Sequence, residues 1–325
     1  QAVHGLADGH QRGRAGGVHA DCRAGEIEAV GGAGGDVVFI VGQHDLELAR
    51  LDAGQPVVDI RVSSTEMGQG VHTIFTQIAA DALSLDPAHI RFPLADTGLV
   101  PNSGPTVASR TTMVVGNVVH RAAEDLKRQI EAFASLRFFQ GAPAELRAAQ
   151  LVAPGAKPVP FAKVAKALLA EIGPASGFFQ FQLPPDIRWD QTTFKGDSYP
   201  GYSWSANVAE VEIDPLTCEI EVKRVTAVVD VGRVINPVLA TGQVEGGLTQ
   251  ALGYAILEKI CTGKNGLYDA ARLQTYIIPT ALDVPEYDVK FVEYPYSFAP
   301  PGGKGLGELP MDGLAPAIAN AVEAA

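Results

Sequence analysis

Two alternating runs joined by a turn constrain this chain more than any other stretch. Ser203-Trp204-Ser205-Ala206-Asn207-Val208-Ala209-Glu210-Val211-Glu212-Ile213 alternates, Asp214-Pro215-Leu216-Thr217 supplies turn residues, and Glu219-Ile220-Glu221-Val222-Lys223-Arg224-Val225 alternates back. A period of two sends successive side chains to opposite sheet faces, so the segment predicts an antiparallel hairpin. Thr226–Val231 continues as a buried strand, and Asn236-Pro237 opens a helical stretch. Strands are also expected at Val37–Val41, Val57–Val62 and His89–Pro93, with strand-like runs at Tyr276–Leu282 and Val289–Val292. Helices are expected at Val71–Leu83 (Ile74, Ile78, Ala79 and Ala82 on one face), Met113–Phe133, Phe161–Ile172 and Leu314–Val322. Hairpins and helices without a regular βαβ rhythm imply an α+β fold of mixed sheets and packed helices, not a doubly wound sheet.

The organisation reads as four parts: an illegible segment 1–36, a first subdomain 37–135, a helical insertion or connection 136–199, and a second α+β subdomain 200–325. The connection carries an alanine-rich helical stretch, prolines at 154, 158, 160, 184 and 185, and a Phe178-Phe179-Gln180-Phe181 patch expected in the core. With 325 residues, 46% of them hydrophobic and 19% charged, the chain can bury a full core. A net charge of −12 argues against nucleic acid, and no apolar run reaches membrane-spanning length. Cys22, Cys218 and Cys261 lie far apart, which points to a reducing, cytoplasmic setting and away from zinc or iron–sulfur ligation within this chain. The first residue is not Met and the last falls inside a helical pattern, so a fragment or partial chain is expected.

Three polar loops carry the chemistry. In Ser64-Thr65-Glu66-Met67-Gly68-Gln69-Gly70 a strand gives way to a Gly-flanked tip and a helix, whose free N–H groups suit an anionic or polar ligand. Gln69 can donate and accept there; the alternative is that the glycines serve only the turn. His72 reads as helix-start packing or surface rather than a metal ligand, since no second His or Cys sits at ligand spacing. Pro101-Asn102-Ser103-Gly104-Pro105-Thr106-Val107-Ala108-Ser109-Arg110-Thr111-Thr112 offers hydroxyls, amides and one positive charge at a helix start, a plausible pyrophosphate cradle without Walker or dinucleotide-fold spacing. An N-capping Ser/Thr cluster explains the hydroxyls but not the length. Gly302-Gly303-Lys304-Gly305-Leu306-Gly307-Glu308-Leu309-Pro310 holds a single carboxylate among glycines. It reads either as a turn with Glu308 near the start of the next helix or as a shaped loop holding a partly desolvated base of raised pKa. Glycines at 242, 246 and 253 form a smooth strip on one side of the helix after Pro237, expected to be closely packed.

These motifs, taken with Asp230–Tyr254 (DVGRVINPVLATGQVEGGLTQALGY), resemble the molybdenum hydroxylases: xanthine dehydrogenase, aldehyde oxidase, nicotinate dehydrogenase and carbon monoxide dehydrogenase. The resemblance covers residues 57–130 and 200–325 well, the middle weakly and 1–36 hardly at all, and it is to the second half of the molybdopterin-binding region. It implies that Gln69, with Gly68 and Gly70, contacts a molybdenum–molybdopterin cofactor of the cytosine dinucleotide form. It places Ala108 under the metal centre, Ser109, Arg110, Thr111 and Thr112 around the pterin and pyrophosphate, and Gln243, Lys304, Gly305 and Gly307 among the cofactor contacts. Glu308 is implied as the catalytic base, with no protein side chain bound to the metal. The implied activity is oxidative hydroxylation of a C–H carbon using water, on a purine or N-heterocyclic aromatic. The alternatives are an aldehyde- or carbon monoxide-oxidising member, or a non-catalytic fragment that binds no cofactor alone. Implied partners are a first-half molybdopterin subunit, an iron–sulfur subunit and an FAD subunit, an organisation like that of split nicotinate dehydrogenase.

Overall fold

The computed structural model describes residues 38–40, 50–52 and 55–325, except 94, 99, 183, 191, 198, 299 and 300. The illegible segment 1–36 therefore lies outside the described residues, as do Val37 and Val41 at the ends of the first expected strand.

The first half is built on strand β1 (Gln55–Asp59), helix α1 (Val71–Leu83), strand β2 (Ile90–Arg91), helix α2 (Gly116–Phe138) and helix α3 (Phe161–Glu171). β1 pairs antiparallel with Arg50–Asp52 and parallel with β2. The parallel pair is reached through α1, which lies across it. α1 spans the residues its apolar spacing predicts, burying Val71, Phe75, Ile78, Ala79, Ala80, Ala82 and Leu83. Ile74, expected on that face, is only partly buried and turns toward a cleft between the polar loops. Arg91 grips the buried Asp59 with two hydrogen bonds, Nε to Oδ1 at 2.6 Å and Nη2 to Oδ2 at 2.7 Å, locking β2 against β1. His72 stacks on Phe92 at 4.4 Å, the packing role expected of it.

The stretch read as a connection departs from expectation. α2 ends at Phe138, and the alanine-rich continuation instead forms a three-stranded antiparallel sheet of Glu145–Arg147, Gln150–Val152 and Val159–Pro160. Gln140, Ala148 and Ala149 take positive φ, and tight turns at these points interrupt the helical propensity of the alanines. Leu146, Leu151, Phe161, Val164 and Leu168 are buried in the same core as α1 and α2. Phe178–Gln180 pairs antiparallel with Val38–Ile40; Phe179 and Phe181 pack on that core, while Phe178 is exposed.

The second half has its own core. Strands β3 (Trp204–Ile213) and β4 (Ile220–Asp230) form the expected hairpin, and β5 (Glu286–Phe291) adds parallel to β4. The continuation expected over Thr226–Val231 is present: β4 runs unbroken to Asp230, with Ala227 and Val229 buried and Val228 exposed. Helix α4 (Pro237–Leu252) starts as its sequence dictates, with Asn236 Oδ1 accepting from the Leu239 N–H at 3.1 Å and Pro237 in the first turn. The short helix α5 (Leu309–Asp312) and α6 (Leu314–Ala324) complete the layer. Val225, Ala227, Val229, Val244, Leu248, Ala251, Leu314 and Ile318 form the buried centre. Tyr276–Leu282 is not a strand. It runs through turns with Ile277, Ile278 and Leu282 exposed, Pro279 cannot donate to a ladder, and Tyr276 is tied instead to Glu258.

The glycine strip is also corrected. Gly242 and Gly246 face open space, whereas Gly247 packs against Pro310 and Gly253 against Pro279. Close packing thus falls at Gly253, as expected, and at Gly247, where α4 meets α5, but not at Gly242 or Gly246.

Candidate functional site

Four loops meet in one place, and each junction is made by named groups. The exit of β1 is sewn to the 101–112 loop: Ser63 N–H donates to Ser103 Oγ at 2.8 Å, Ser103 N–H donates to Ser63 Oγ at 2.7 Å, and Thr65 N–H donates to Thr106 Oγ1 at 3.0 Å. The end of β4 is sewn to the terminal loop: Lys304 N–H donates to Val231 O at 2.7 Å, Arg233 N–H donates to Gly302 O at 2.9 Å, and Gly232 bridges Gly303. Gly232 has φ +67°, and a Cβ there would stand 2.2 Å from the Gly302 carbonyl oxygen, so only glycine permits this approach. The two pairs are joined by Ser109. Its Oγ donates to Glu308 Oε2 at 2.9 Å and accepts the Glu308 N–H at 2.9 Å. Gln243 Nε2 on α4 donates to Gly307 O at 3.2 Å.

Between these loops lies a cleft of about 450 Å³, within the range of small-molecule sites. Its wall includes Gln69, Ala108, Ser109, Thr111, Thr112, Gln243, Lys304, Gly307 and Glu308. Ala108 and Ser109 both have φ +53°, a left-handed conformation that non-glycine residues hold only when their surroundings enforce it, and which clusters at functional sites. Thr111–Val115 then forms a single wide π turn before α2, another feature concentrated at such sites. Gly305 lies against Ser109, where a Cβ would meet the Ser109 carbonyl at 2.8 Å.

Several expected site residues have other roles. Arg110, the cation expected at a pyrophosphate, does not line the cleft. Its Nη1 donates to Ser103 O at 2.9 Å and Pro105 O at 3.1 Å, and burial lowers its pKa. The positive end of α1 is not free for a ligand either. Glu66 Oε1 accepts from the Gly68 and Gly70 N–H groups, both at 2.9 Å, and Oε2 from His72 N–H at 3.1 Å. Burial raises the Glu66 pKa, but the His72, Gly70 and Gly68 N–H donors outweigh it and hold the carboxyl below its ordinary range. Gly68 and Gly70 therefore shape the tip rather than line the cleft, both at positive φ, with Gly70 against Leu239 of α4. Gln69 faces the cleft, yet its amide first closes its own loop: Nε2 donates to Thr65 O at 2.7 Å and Oε1 accepts from Met67 N–H at 2.6 Å. Lys304 is buried and its Nζ meets Asp230 Oδ2 at 2.8 Å. Glu308 stands at the N-cap position of α5 without capping it through its side chain, and it lines the cleft with that side chain exposed rather than desolvated.

Two residues within these motifs escape a reading of the sequence. Glu66 sits two positions before Gly68, where a carboxylate ahead of a helix start is a capping signal. Arg233, in the Asp-Val-Gly-Arg run, lines the cleft with its guanidinium about half exposed and 3.6 Å from Asp81.

The donor set fits an anionic, heteroatom-rich group: hydroxyls on Thr111 and Thr112, amides on Gln69 and Gln243, and the Arg233 cation face one volume, while the Ser109 hydroxyl is committed to Glu308. Among the described residues no three His, Cys, Asp or Glu side chains stand close enough to hold a metal ion. Residues 47–285 match the family model described as molybdopterin cofactor-binding domain. The xanthine dehydrogenase/oxidase of Felis catus is 31% identical over 249 residues, covering 76% of this chain and 17% of that protein. The putative xanthine dehydrogenase molybdenum-binding subunit of Escherichia coli (strain K12) is 30% identical over 272 residues, covering 82% of this chain and 35% of that protein. The structure of quinoline 2-oxidoreductase from Pseudomonas putida 86 superimposes with a TM-score of 0.71 at 26% identity, covering 89% of this chain and 39% of that one. The chain belongs to the molybdenum hydroxylase family, as a molybdopterin cofactor-binding domain with the expected α+β architecture. It spans well under half the length of the relatives it matches.

Proposed function

We propose that this chain forms one wall of the molybdenum–molybdopterin site of a hydroxylase that converts a C–H carbon to C–OH with water, releasing two electrons and two protons. The observation that carries the reading is the convergence of all four motifs on one cleft, with Glu308 held by Ser109 at its edge. When bound, the cofactor supplies the oxidising and oxygen-activating chemistry that side chains lack. The chain's residues bind and orient. Thr111, Thr112 and Arg233 would hold its anionic linkage, for which the cytosine dinucleotide form is proposed, while Gln69 and Gln243 would contact its polar atoms. Ala108, small and facing the cleft, leaves room beside them.

Glu308 is the proposed base. Its Oε2 is engaged by Ser109, which fixes the carboxylate and leaves Oε1 to take a proton from the attacking oxygen. The exposure of Glu308 calls for a second wall, proposed to come from a first-half molybdopterin partner that excludes water from the base. Electrons would leave through iron–sulfur and FAD partners in a cytoplasmic assembly. Among the described residues no helix is long and apolar enough to cross a membrane.

A purine or N-heterocyclic aromatic is proposed as substrate, supported by the relatives named for xanthine and quinoline. Turnover of such a heterocycle by the assembled enzyme in ¹⁸O-labelled water should place the label in the product. Label arriving from dissolved oxygen instead would overturn the reaction class, and oxidation of aldehydes alone would overturn the substrate class.

A further inference from the structure

Asp230 and Lys304 form a charged latch at the root of the loop that ends in Glu308. Lys304 is 7% exposed, and its Nζ donates to Asp230 Oδ2 at 2.8 Å. The ammonium also lies over the Tyr294 ring, 5.4 Å from its centre. Asp230 Oδ1 accepts from Gly232 N–H at 2.9 Å and Tyr294 N–H at 3.3 Å. One carboxylate at the end of β4 thus ties together three chain segments: its own exit, the strand leaving β5, and the 302–304 strip. Burial alone would raise the Asp230 pKa, but the bond from Lys304 Nζ, the Gly232 N–H and the lysine's charge keep it below the ordinary carboxylate range.

The lysine's stem runs beside Gly232, whose missing Cβ leaves it room. From Lys304 the chain reaches Glu308 in four residues, with Ser203 Oγ donating to the Gly305 carbonyl at 2.6 Å on the way. The charge of the Lys304 ammonium is matched within the protein, by Asp230 at 2.8 Å and by the face of the Tyr294 ring.

We infer that Asp230 and Lys304 are positioning residues that set the place of Glu308, and that Lys304 is not a cofactor ligand. The inference rests on the reading of Glu308 as the base. Asp230→Asn and Lys304→Met should have matching effects in the assembled enzyme: kcat lowered about 10–100-fold, because a misplacement near 1 Å costs up to about 10². KM and bound pterin should stay near wild type, and backbone amides 303–309 should exchange faster in both. Lys304→Arg should restore part of kcat. The double variant removes both charges, so it leaves no unpaired buried ion; it should fold, and its loss should equal that of either single variant.

Loss of pterin from Lys304→Met with normal pterin and kcat in Asp230→Asn would make Lys304 a ligand and overturn the inference. So would wild-type amide exchange and kcat in the double variant. The exchange readout needs no turnover, so it separates the two readings: faster exchange at 303–309 alongside an active Glu308→Gln enzyme would reject Glu308 as base and leave the latch standing.

Discussion

Glu308→Gln in the assembled enzyme is expected to lower kcat by about 10²–10⁴-fold, the typical worth of a positioned base, with molybdenum and pterin content unchanged. Glutamine keeps the size and the backbone contact. The Glu308 N–H still donates to Ser109 Oγ, and the amide oxygen still accepts from the same hydroxyl, so the loop has no reason to move. What is lost is the ability to take a proton. Because the change removes an interaction made during the reaction, kcat and kcat/KM should fall together while substrate binding is little changed. Steady-state kinetics with parallel metal analysis read this directly. An activity near wild type would exclude Glu308 as the base, and a fall explained by lost cofactor would make its role structural.

Phe75→Ala should cost about 3–5 kcal/mol of stability, the range for removing a fully buried aromatic ring. Phe75 is 0% exposed on α1, with its ring 6.0 Å from that of Phe92 and packed beside Gly116, where the π turn gives way to α2. The cavity would therefore open under both the Gln69 tip and the Ser109 loop. Proteolytic susceptibility under native conditions, measured on the assembled protein, should rise steeply, and cofactor content should fall with it. A loss under about 1 kcal/mol would mean that this core does not support the cleft.

Local chemistry is legible in the sequence where one short stretch decides the outcome. The alternation of 203–225 specifies the hairpin, the spacing of Val71–Leu83 specifies α1 to the residue, and Asn236-Pro237 sets the start of α4. The α+β architecture follows from these. Local patterns mislead where long-range geometry decides. Alanines after Phe138 favour helix, yet turns at Gln140 and Ala148-Ala149 break the run into short strands that put Leu146 and Leu151 in the core with α1 and α2. Tyr276–Leu282 has strand-like composition but pairs with no strand among the described residues, and Pro279 within it cannot donate to a ladder.

The candidate site divides in the same way. The four motifs are visible in the sequence, and the structure brings them to one cleft. Which side chains face it is not visible there, because that depends on partners far away along the chain. Arg110 turns back to the Ser103 and Pro105 carbonyls, Lys304 is drawn to Asp230 across 74 positions, and Glu66 fills the helix end that looks open to an anion. Glu308 stands out by its glycine setting, but the Ser109 hydroxyl that holds it lies 199 positions away.

The central claim is that these loops make a molybdopterin site, and cofactor analysis tests it most directly. The intact complex containing this chain should carry molybdenum and pterin in proportion to the chain, and both should be lost when Thr111, Thr112 and Arg233 are replaced together by alanine. An intact, folded complex without molybdenum or pterin would contradict the account.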